Sequence, residues 1–108
     1  MKKPEDLLRQ AGFSKRYQGF RYLVQCVELA AEDDNRLCSL CKEIYGPVAQ
    51  EHRIPSRSIE RDIRTARDYA WENGGRDFFE KISGGKFYTL PTVGELIEIL
   101  AQYMTEVP

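Results

Sequence analysis

The chain has 108 residues, of which 42% are hydrophobic and 31% charged, with a formal net charge of −1 and three cysteines. This composition is typical of one globular domain with a modest core, and the odd number of cysteines argues against a disulfide framework. The sequence has neither an apolar run of transmembrane length nor a signal-peptide pattern, so we expect a cytoplasmic protein that is not associated with a membrane.

The near-neutral total hides an uneven distribution of charge along the chain. Residues 1–27 carry six basic and two acidic residues, whereas residues 28–34 carry four acidic and no basic residues. Residues 53–67 carry five arginines against two acidic residues, and the last twenty residues carry three acidic and no basic residues. Because local fields govern what a surface binds, the sequence predicts one basic and one acidic patch.

Apolar residues at helical spacing, separated by turn residues, predict helices along the whole chain. Pro4 suits a first helical position, and Asn73-Gly74-Gly75 is a strong stop signal. Ser56 is a predicted N-cap, and Thr92 with Glu95 fits a capping box. The predicted helices cover residues 4–11, 16–32, 35–45, 47–52, 56–73, 76–83 and 92–103. The fold class is therefore all-α, with six to seven helices around one core in a single domain of residues 1–108.

The sequence also predicts a close helix contact, an interruption, a helix cap and a set of core residues. Gly19 lies within a helix at a cost of about 1 kcal/mol relative to alanine, which suggests that another helix approaches closely there. Gly46-Pro47 should interrupt the helical run, and the acidic turn at 32–35 should cap the helix that follows it. The predicted core residues outside 56–73 are Phe20, Leu23, Val24, Val27, Ala30 or Ala31, Leu37, Leu40, Cys41, Ile44, Val48, Ala49, Phe78, Phe79, Ile82, Leu96, Ile97, Ile99 and Leu100.

The helix predicted over 56–73 has two chemically different faces. Successive residues of a helix are ~100° apart, and on this wheel four apolar residues fall within roughly 60° of one another. These apolar residues are Ile59, Ile63, Ala66 and Ala70. Arg57, Arg61 and Arg64 lie on the opposite side. Because Arg57 and Arg61 repel each other in an isolated helix, this face favours an anionic partner.

Residues 47–74 have the order of a helix–turn–helix motif: a short helix, a turn over 53–55 and a longer helix. Arginine is suited to bidentate reading of guanine and to binding phosphate, so double-stranded DNA is the predicted partner. Glu60 could accept a hydrogen bond from cytosine or pair with Arg64. The alternative is a solvated helix face with Glu60–Arg64 and Arg64–Asp68 ion pairs.

Cys38 and Cys41 form a C-x-x-C pair, with Cys26 before them and His52, the single histidine, after them. These residues could form a Cys₃His zinc site or a redox pair, but the spacing matches no compact zinc module, which favours buried structural cysteines. The sequence has no Gly-rich phosphate loop and no nucleophile with an evident base. We therefore predict no enzyme activity, no metal and no cofactor.

Three stretches of the sequence carry a family resemblance: GFRYLVQCVELA at 19–30, IYGPVAQEHRIPSRSIERDIRTARDYAW at 44–71 and LPTVGELIEILA at 90–101. They resemble the C-terminal DNA-binding effector domain of the sporulation stage-zero A response regulator family. The most specific pattern is I-E-R-x-I-R-x-A followed by A-W, at 59–71, and the resemblance extends over about 12–104.

The resemblance implies a bacterial transcription regulator that places the second helix of a helix–turn–helix in the major groove. It also implies binding to short repeated DNA boxes, often as a tandem homodimer, and contact with the sigma factor of RNA polymerase. Ser58 stands where family members carry a base-reading arginine, whereas here Arg57 lies one place earlier. We therefore expect a DNA box that differs from the family's usual one.

The predicted base-reading residues are Arg57, Ser58, Glu60, Arg61 and Arg64. The predicted phosphate contacts are Lys15, Arg16, Arg21, Arg53 and Thr65. The family normally carries an N-terminal receiver domain, for which 108 residues leave no room, so the chain is either an excised effector domain or a stand-alone protein. The net charge of −1 and the departure at Ser58 support an alternative function: a protein-interaction module of the same fold that binds a sigma factor, regulator or kinase.

Overall fold

A computed structural model describes residues 3–106. Helices are the only regular secondary structure within that range, which confirms the all-α fold class. The α-helices are α1 (Pro4–Gln10), α2 (Gln18–Glu32), α3 (Gly46–His52), α4 (Ser56–Ala70), α5 (Arg76–Ser83) and α6 (Val93–Glu106). A 3₁₀ segment (Asp34–Ser39) and a π-helical segment (Leu40–Tyr45) precede α3, and a second π-helical segment (Trp71–Gly75) joins α4 to α5.

The number of separate helices was predicted wrongly. The segments from Asp34–Ser39 to α3 follow one another without a loop. Those from α4 to α5 also adjoin, but with a kink, because Asn73 and Gly74 have non-helical backbone angles. Residues 3–106 therefore contain five helical runs, one of them kinked. Gly46 and Pro47 occupy the first turn of α3. Backbone N–H groups in a first turn have no partner within the helix, so the N–H that proline lacks is not needed there, and the helix type changes without a break. At the kink between α4 and α5, Gly74 turns the chain with φ 95°, where the stop signal Asn73-Gly74-Gly75 predicts the end of a helix, and α5 begins at Arg76.

The core is centred on the contact between α2 and α4. A Cβ atom on Gly19 would lie 2.1 Å from the backbone oxygen of Asp62, so only glycine permits this approach. The close helix contact predicted at Gly19 is thus confirmed. Ile59 and Ile63 of α4 are completely buried in the core. Helix α6 also packs against α2.

Most of the predicted core residues are buried, and three that are not lie between 34 and 45. Leu37 and Leu40 are only half-buried, and Cys41 is exposed. The 3₁₀ and π-helical segments there have fewer or more residues per turn than an α-helix, so a 3.6-residue wheel assigns the wrong face. The other predicted core residues that are only half-buried are Phe78, Ile82 and Ile99; of the pair Ala30 or Ala31, Ala30 is the buried one.

Two of the three predicted helix caps are confirmed. The Thr92 N–H donates to Glu95 Oε1 at 2.8 Å and the Glu95 N–H donates to Thr92 Oγ1 at 3.1 Å, which is a capping box. In the acidic turn, the Asp33 carboxylate accepts from the backbone N–H of Asn35. Ser56 is not a cap, because α4 already includes it and Pro55 is the N-cap residue. No helix within residues 3–106 is long and apolar enough to cross a membrane.

Candidate nucleic-acid interface

The segment predicted to bind DNA consists of α3, the connection 53–55 and α4. Arg53 ends α3 in the left-handed conformation, with φ 57°, and the Ile54 N–H donates to the backbone oxygen of Ala49 at 3.1 Å. This bond satisfies a carbonyl at the end of α3. Pro55 then adopts an extended conformation and α4 begins at the next residue. The chain therefore passes from one helix to the other within residues 53–55.

A polar network that the sequence did not reveal fixes α3 on α2. The Gln25 amide donates to the Glu51 carboxylate, and its oxygen lies 2.7 Å from Nε2 of His52. Because the amide oxygen can only accept, His52 Nε2 must carry the proton. The His52 ring also meets Tyr22 edge to face, with centroids 4.9 Å apart. These contacts position α3 beside the start of α4.

The two predicted faces of α4 are confirmed. Arg57, Arg61 and Arg64 are exposed, with 62% of the Arg61 side chain and 50% of the Arg64 side chain accessible to solvent. The four apolar residues on the other side are all buried: Ile59, Ile63, Ala66 and Ala70. We refer to Arg57, Arg61 and Arg64 as the arginine face.

Two acidic residues lie close to the arginine face. Glu60 Oε1 is 3.4 Å from Arg64 Nη1, as predicted, and Asp62 Oδ1 is 3.5 Å from Arg61 Nε. Exposed ion pairs of this kind contribute at most about 1 kcal/mol, so both guanidinium groups can exchange to another anion. The predicted Arg64–Asp68 pair is not formed; Asp68 pairs with Arg67 instead.

A cleft of about 360 Å³ flanks the arginine face and brings a thiol and a phenol to it. Arg57 and Arg64 line this cleft together with Tyr45 and Cys41. Burial raises the pKa of Tyr45 well above its usual range, so its hydroxyl stays protonated and can donate a hydrogen bond. The cleft extends from the arginine face toward the π-helical segment.

Ser58 and Thr65, also predicted to contact DNA, lie to one side of the arginine face. Ser58 follows Arg57 and is therefore rotated from it by ~100°, and it is half-buried. Thr65 is exposed, but its hydroxyl donates to the backbone oxygen of Arg61 at 3.2 Å. To donate to a phosphate, Thr65 would have to give up that bond.

The basic residues before and within α2 lie around one cleft. Lys15, Arg16 and Arg21 line one cleft of about 250 Å³. The Arg16 guanidinium lies 5.9 Å from the ring of Tyr69, which places it beside α4. Arg21 follows Gly19 by two residues, so it points about 200° away from the side of α2 that contacts α4. Arg16 thus lies beside α4, whereas Arg21 borders the same cleft from the side of α2 away from α4.

Arg67 of α4 has a structural role that its sequence context did not reveal. Only 12% of its side chain is exposed, and Nη1 donates to the backbone oxygen of Pro91 at 2.9 Å. Its Nε and Nη2 both donate to Asp68. On the helical wheel Arg67 lies about 80° from Arg57, which is the one sequence signal that separates it from the arginine face.

The three cysteines do not share one environment. Cys26 is buried in the core as predicted, and this burial raises the pKa of its thiol to about 12. Cys38 and Cys41 are exposed, so the prediction that they are buried is wrong. Within residues 3–106 no three His, Cys, Asp or Glu residues form a group that could hold a metal ion.

A protein-family model described as “Sporulation initiation factor Spo0A C terminal” matches residues 5–104. The match covers nearly all of the chain, and the chain belongs to this family of DNA-binding effector domains of sporulation response regulators. The resemblance found in the sequence is thereby confirmed.

Proposed function

We propose, with this family membership as the premise, that the chain is a sequence-specific DNA-binding regulator of transcription. In this proposal α3, the connection 53–55 and α4 act as a helix–turn–helix motif, with α4 in the major groove. The arginine face is the observation that carries the proposal, because its three guanidinium groups are exposed while the opposite side of α4 is anchored in the core.

Arg57, Arg61 and Arg64 would read bases. A guanidinium group donates two parallel hydrogen bonds to O6 and N7 of guanine, which is the commonest specific contact in the major groove. Glu60 has two compatible roles, since it can accept from the amino group of cytosine or orient Arg64 through their existing ion pair. Ser58, at the margin of this face, would contact a neighbouring base through its hydroxyl.

Phosphate contacts would surround the arginine face. Arg53 lies just before α4, whose first backbone N–H groups also attract an anion. Arg16 flanks α4 through its contact with Tyr69, and Lys15 is next to it. Thr65 and Arg21 are weaker members of this set, because Thr65 is already hydrogen-bonded and Arg21 is directed away from α4.

The family resemblance extends the proposal to two protein partners. Binding to repeated boxes would place two copies of the chain in tandem on DNA, and a bound copy would contact the sigma factor of RNA polymerase. Such a protein acts on the chromosome and hence in the bacterial cytoplasm.

Selection of bound sequences from a pool of random duplexes at low salt tests the proposal. We expect an enriched motif that contains guanines and an affinity that falls steeply as salt rises, because counterions are released from the phosphates. Arg57→Ala combined with Arg61→Ala should abolish the enrichment, whereas Arg9→Ala on α1, an exposed arginine, should preserve it.

The alternative is a protein-interaction module, which the net charge of −1 and the acidic residues beside the arginine face support. Selection without an enriched motif, together with a duplex affinity that salt leaves unchanged, would favour this alternative over the DNA-binding proposal.

A further inference from the structure

We infer that a second surface of this chain, on the side of α2 away from α4, binds a segment of a partner protein that carries both basic and apolar side chains. Two neighbouring clefts form this surface, which we call the acidic groove. The first has a volume of about 440 Å³ and lies among α2, α3 and α6; the second, of about 550 Å³, lies among α2, the 3₁₀ segment and α6. Ala31 and Glu32 line both clefts, so the two are contiguous.

The charge of the acidic groove selects a basic occupant. Six acidic residues line the two clefts: Glu28, Glu32, Asp33, Asp34, Glu51 and Glu98. No lysine or arginine is among the described residues that line them. Arg36 lies nearby and offsets one charge, since its Nη1 is 3.0 Å from Glu32 Oε1. A surface of this sign repels nucleic acid and attracts lysine and arginine side chains.

The floor of the groove is apolar, which distinguishes it from an ordinary patch of surface acids. Leu29, Pro47, Val48 and Met104 line the first cleft, and Leu37 lines the second. Leu29, Leu37 and Met104 are half-buried, so they expose apolar area that an occupant could cover. Apolar residues surrounded by charged ones are typical of a surface that binds an amphipathic segment.

The groove and the arginine face share no residue, although α3, the helix before α4 in the proposed motif, lines the first cleft. Gly19 marks the side of α2 that contacts α4. Relative to Gly19, the groove residues Gln25, Glu28 and Glu32 are rotated by roughly 180–240° around the helix. The groove and the arginine face are therefore separate surfaces, and the inference does not depend on the proposed DNA-binding function.

The charge balance favours a different protein over a second copy of this chain. Among residues 3–106 the large hydrophobic side chains that are exposed are Tyr88 and Leu90, in the loop before α6, and the basic residue in that loop is Lys86. One lysine would leave most of the six carboxylates unmatched. A segment with several basic residues on one side and apolar residues on the other fits both the charge and the floor.

A synthetic helical peptide with lysines on one face and leucines on the other serves as the probe, and the same peptide with glutamate for lysine is its control. Isotope-labelled chain is titrated with each peptide and followed by NMR, and affinities are measured by fluorescence anisotropy. We expect the lysine peptide to shift the resonances of Leu29, Glu28, Glu51 and Met104, and the glutamate peptide to leave these four resonances unchanged. Shifts centred on any other surface would overturn the inference.

A matched pair of variants separates the groove from general electrostatics. Glu28→Gln with Glu98→Gln removes two charges from the groove, and Glu72→Gln with Asp77→Asn removes two exposed charges elsewhere. We expect the groove variant to weaken peptide binding about fivefold and the control variant by less than about twofold. Both variants should retain their affinity for duplex DNA. Equal weakening by the two variants would contradict the inference.

Sedimentation of the chain alone tests the competing occupant. If the wild-type chain self-associates and both the groove variant and Lys86→Gln abolish that association, the groove is occupied by a second copy and the inference of a separate partner protein is wrong.

Discussion

The buried face of α4 packs so closely on α2 that Gly19 meets the backbone of Asp62, whereas the opposite face of the same helix contacts solvent and a few exposed acidic groups. The residues of the two faces are interspersed along one stretch of sequence, yet substitutions on the two faces should have different effects. A substitution on the buried face should change the free energy of unfolding, and one on the arginine face should change binding. The four predictions below test this separation.

Gly19→Ala should give the largest effect, a loss of about 3 kcal/mol in the free energy of unfolding. The new Cβ would lie 2.1 Å from a backbone oxygen that cannot rotate away, so α2 and α4 must separate. Urea denaturation measures the change. Gly85→Ala is the control, because a Cβ at Gly85 would meet nothing within 4 Å. If Gly19→Ala proves as stable as the wild type, the close packing of the buried face is refuted.

Arg61→Ala should leave stability within about 0.5 kcal/mol and cost about 1–3 kcal/mol of specific DNA binding, because it removes one bidentate reader. Affinities for a selected duplex and a scrambled duplex, measured at one salt concentration, give the specific part of the loss. An equal loss of affinity for the two duplexes would show instead that Arg61 contacts phosphate.

Arg67→Ala should lower the free energy of unfolding by about 1.5 kcal/mol and leave sequence preference unchanged. This side chain is nearly buried and donates a charge-assisted hydrogen bond to the backbone oxygen of Pro91. Thermal and urea unfolding measure the loss, with Arg64→Ala as the exposed control on the same helix. The distinction between structural and binding arginines would fail if the two variants were equally stable.

Two substitutions of Arg53 separate the effect of its charge on DNA affinity from the effect of its backbone conformation on stability. We expect these effects to be the smallest of the four. Arg53→Ala and Arg53→Gly both remove the guanidinium, so both should weaken all duplexes similarly and flatten the salt dependence by about one phosphate contact. Glycine accepts φ 57° without strain, so Arg53→Gly should be more stable than Arg53→Ala by about 1 kcal/mol. Unchanged salt dependence in both variants would remove Arg53 from the phosphate contacts.

The helices and the two faces of α4 could be predicted because each depends on local sequence. A 3.6-residue repeat identified Ile59 and Ile63 as buried, and a glycine inside a helix at Gly19 indicated close packing. The prediction failed at Leu37, Leu40 and Cys41, where the chain leaves α-helical geometry. The local sequence pattern did not predict a 3₁₀ or π-helical segment here, because the stability of such a segment depends on how the neighbouring helices pack.

The arginines of residues 53–67 show which properties the sequence predicts and which depend on tertiary contacts. The sequence by itself determined that this stretch is helical, cationic on one side and apolar on the other, because helical periodicity is a property of the chain alone. It placed Arg57, Arg61 and Arg64 on one face and gave Arg67 no role. Tertiary structure alone decided that Arg67 binds the loop before α6, that Arg16 comes to lie beside Tyr69, and that acidic residues from α2, α3 and α6 meet in one groove. The physical reason is the same in each case: these contacts join residues far apart in the chain, and their geometry exists only after α2, α4 and α6 have packed around the core.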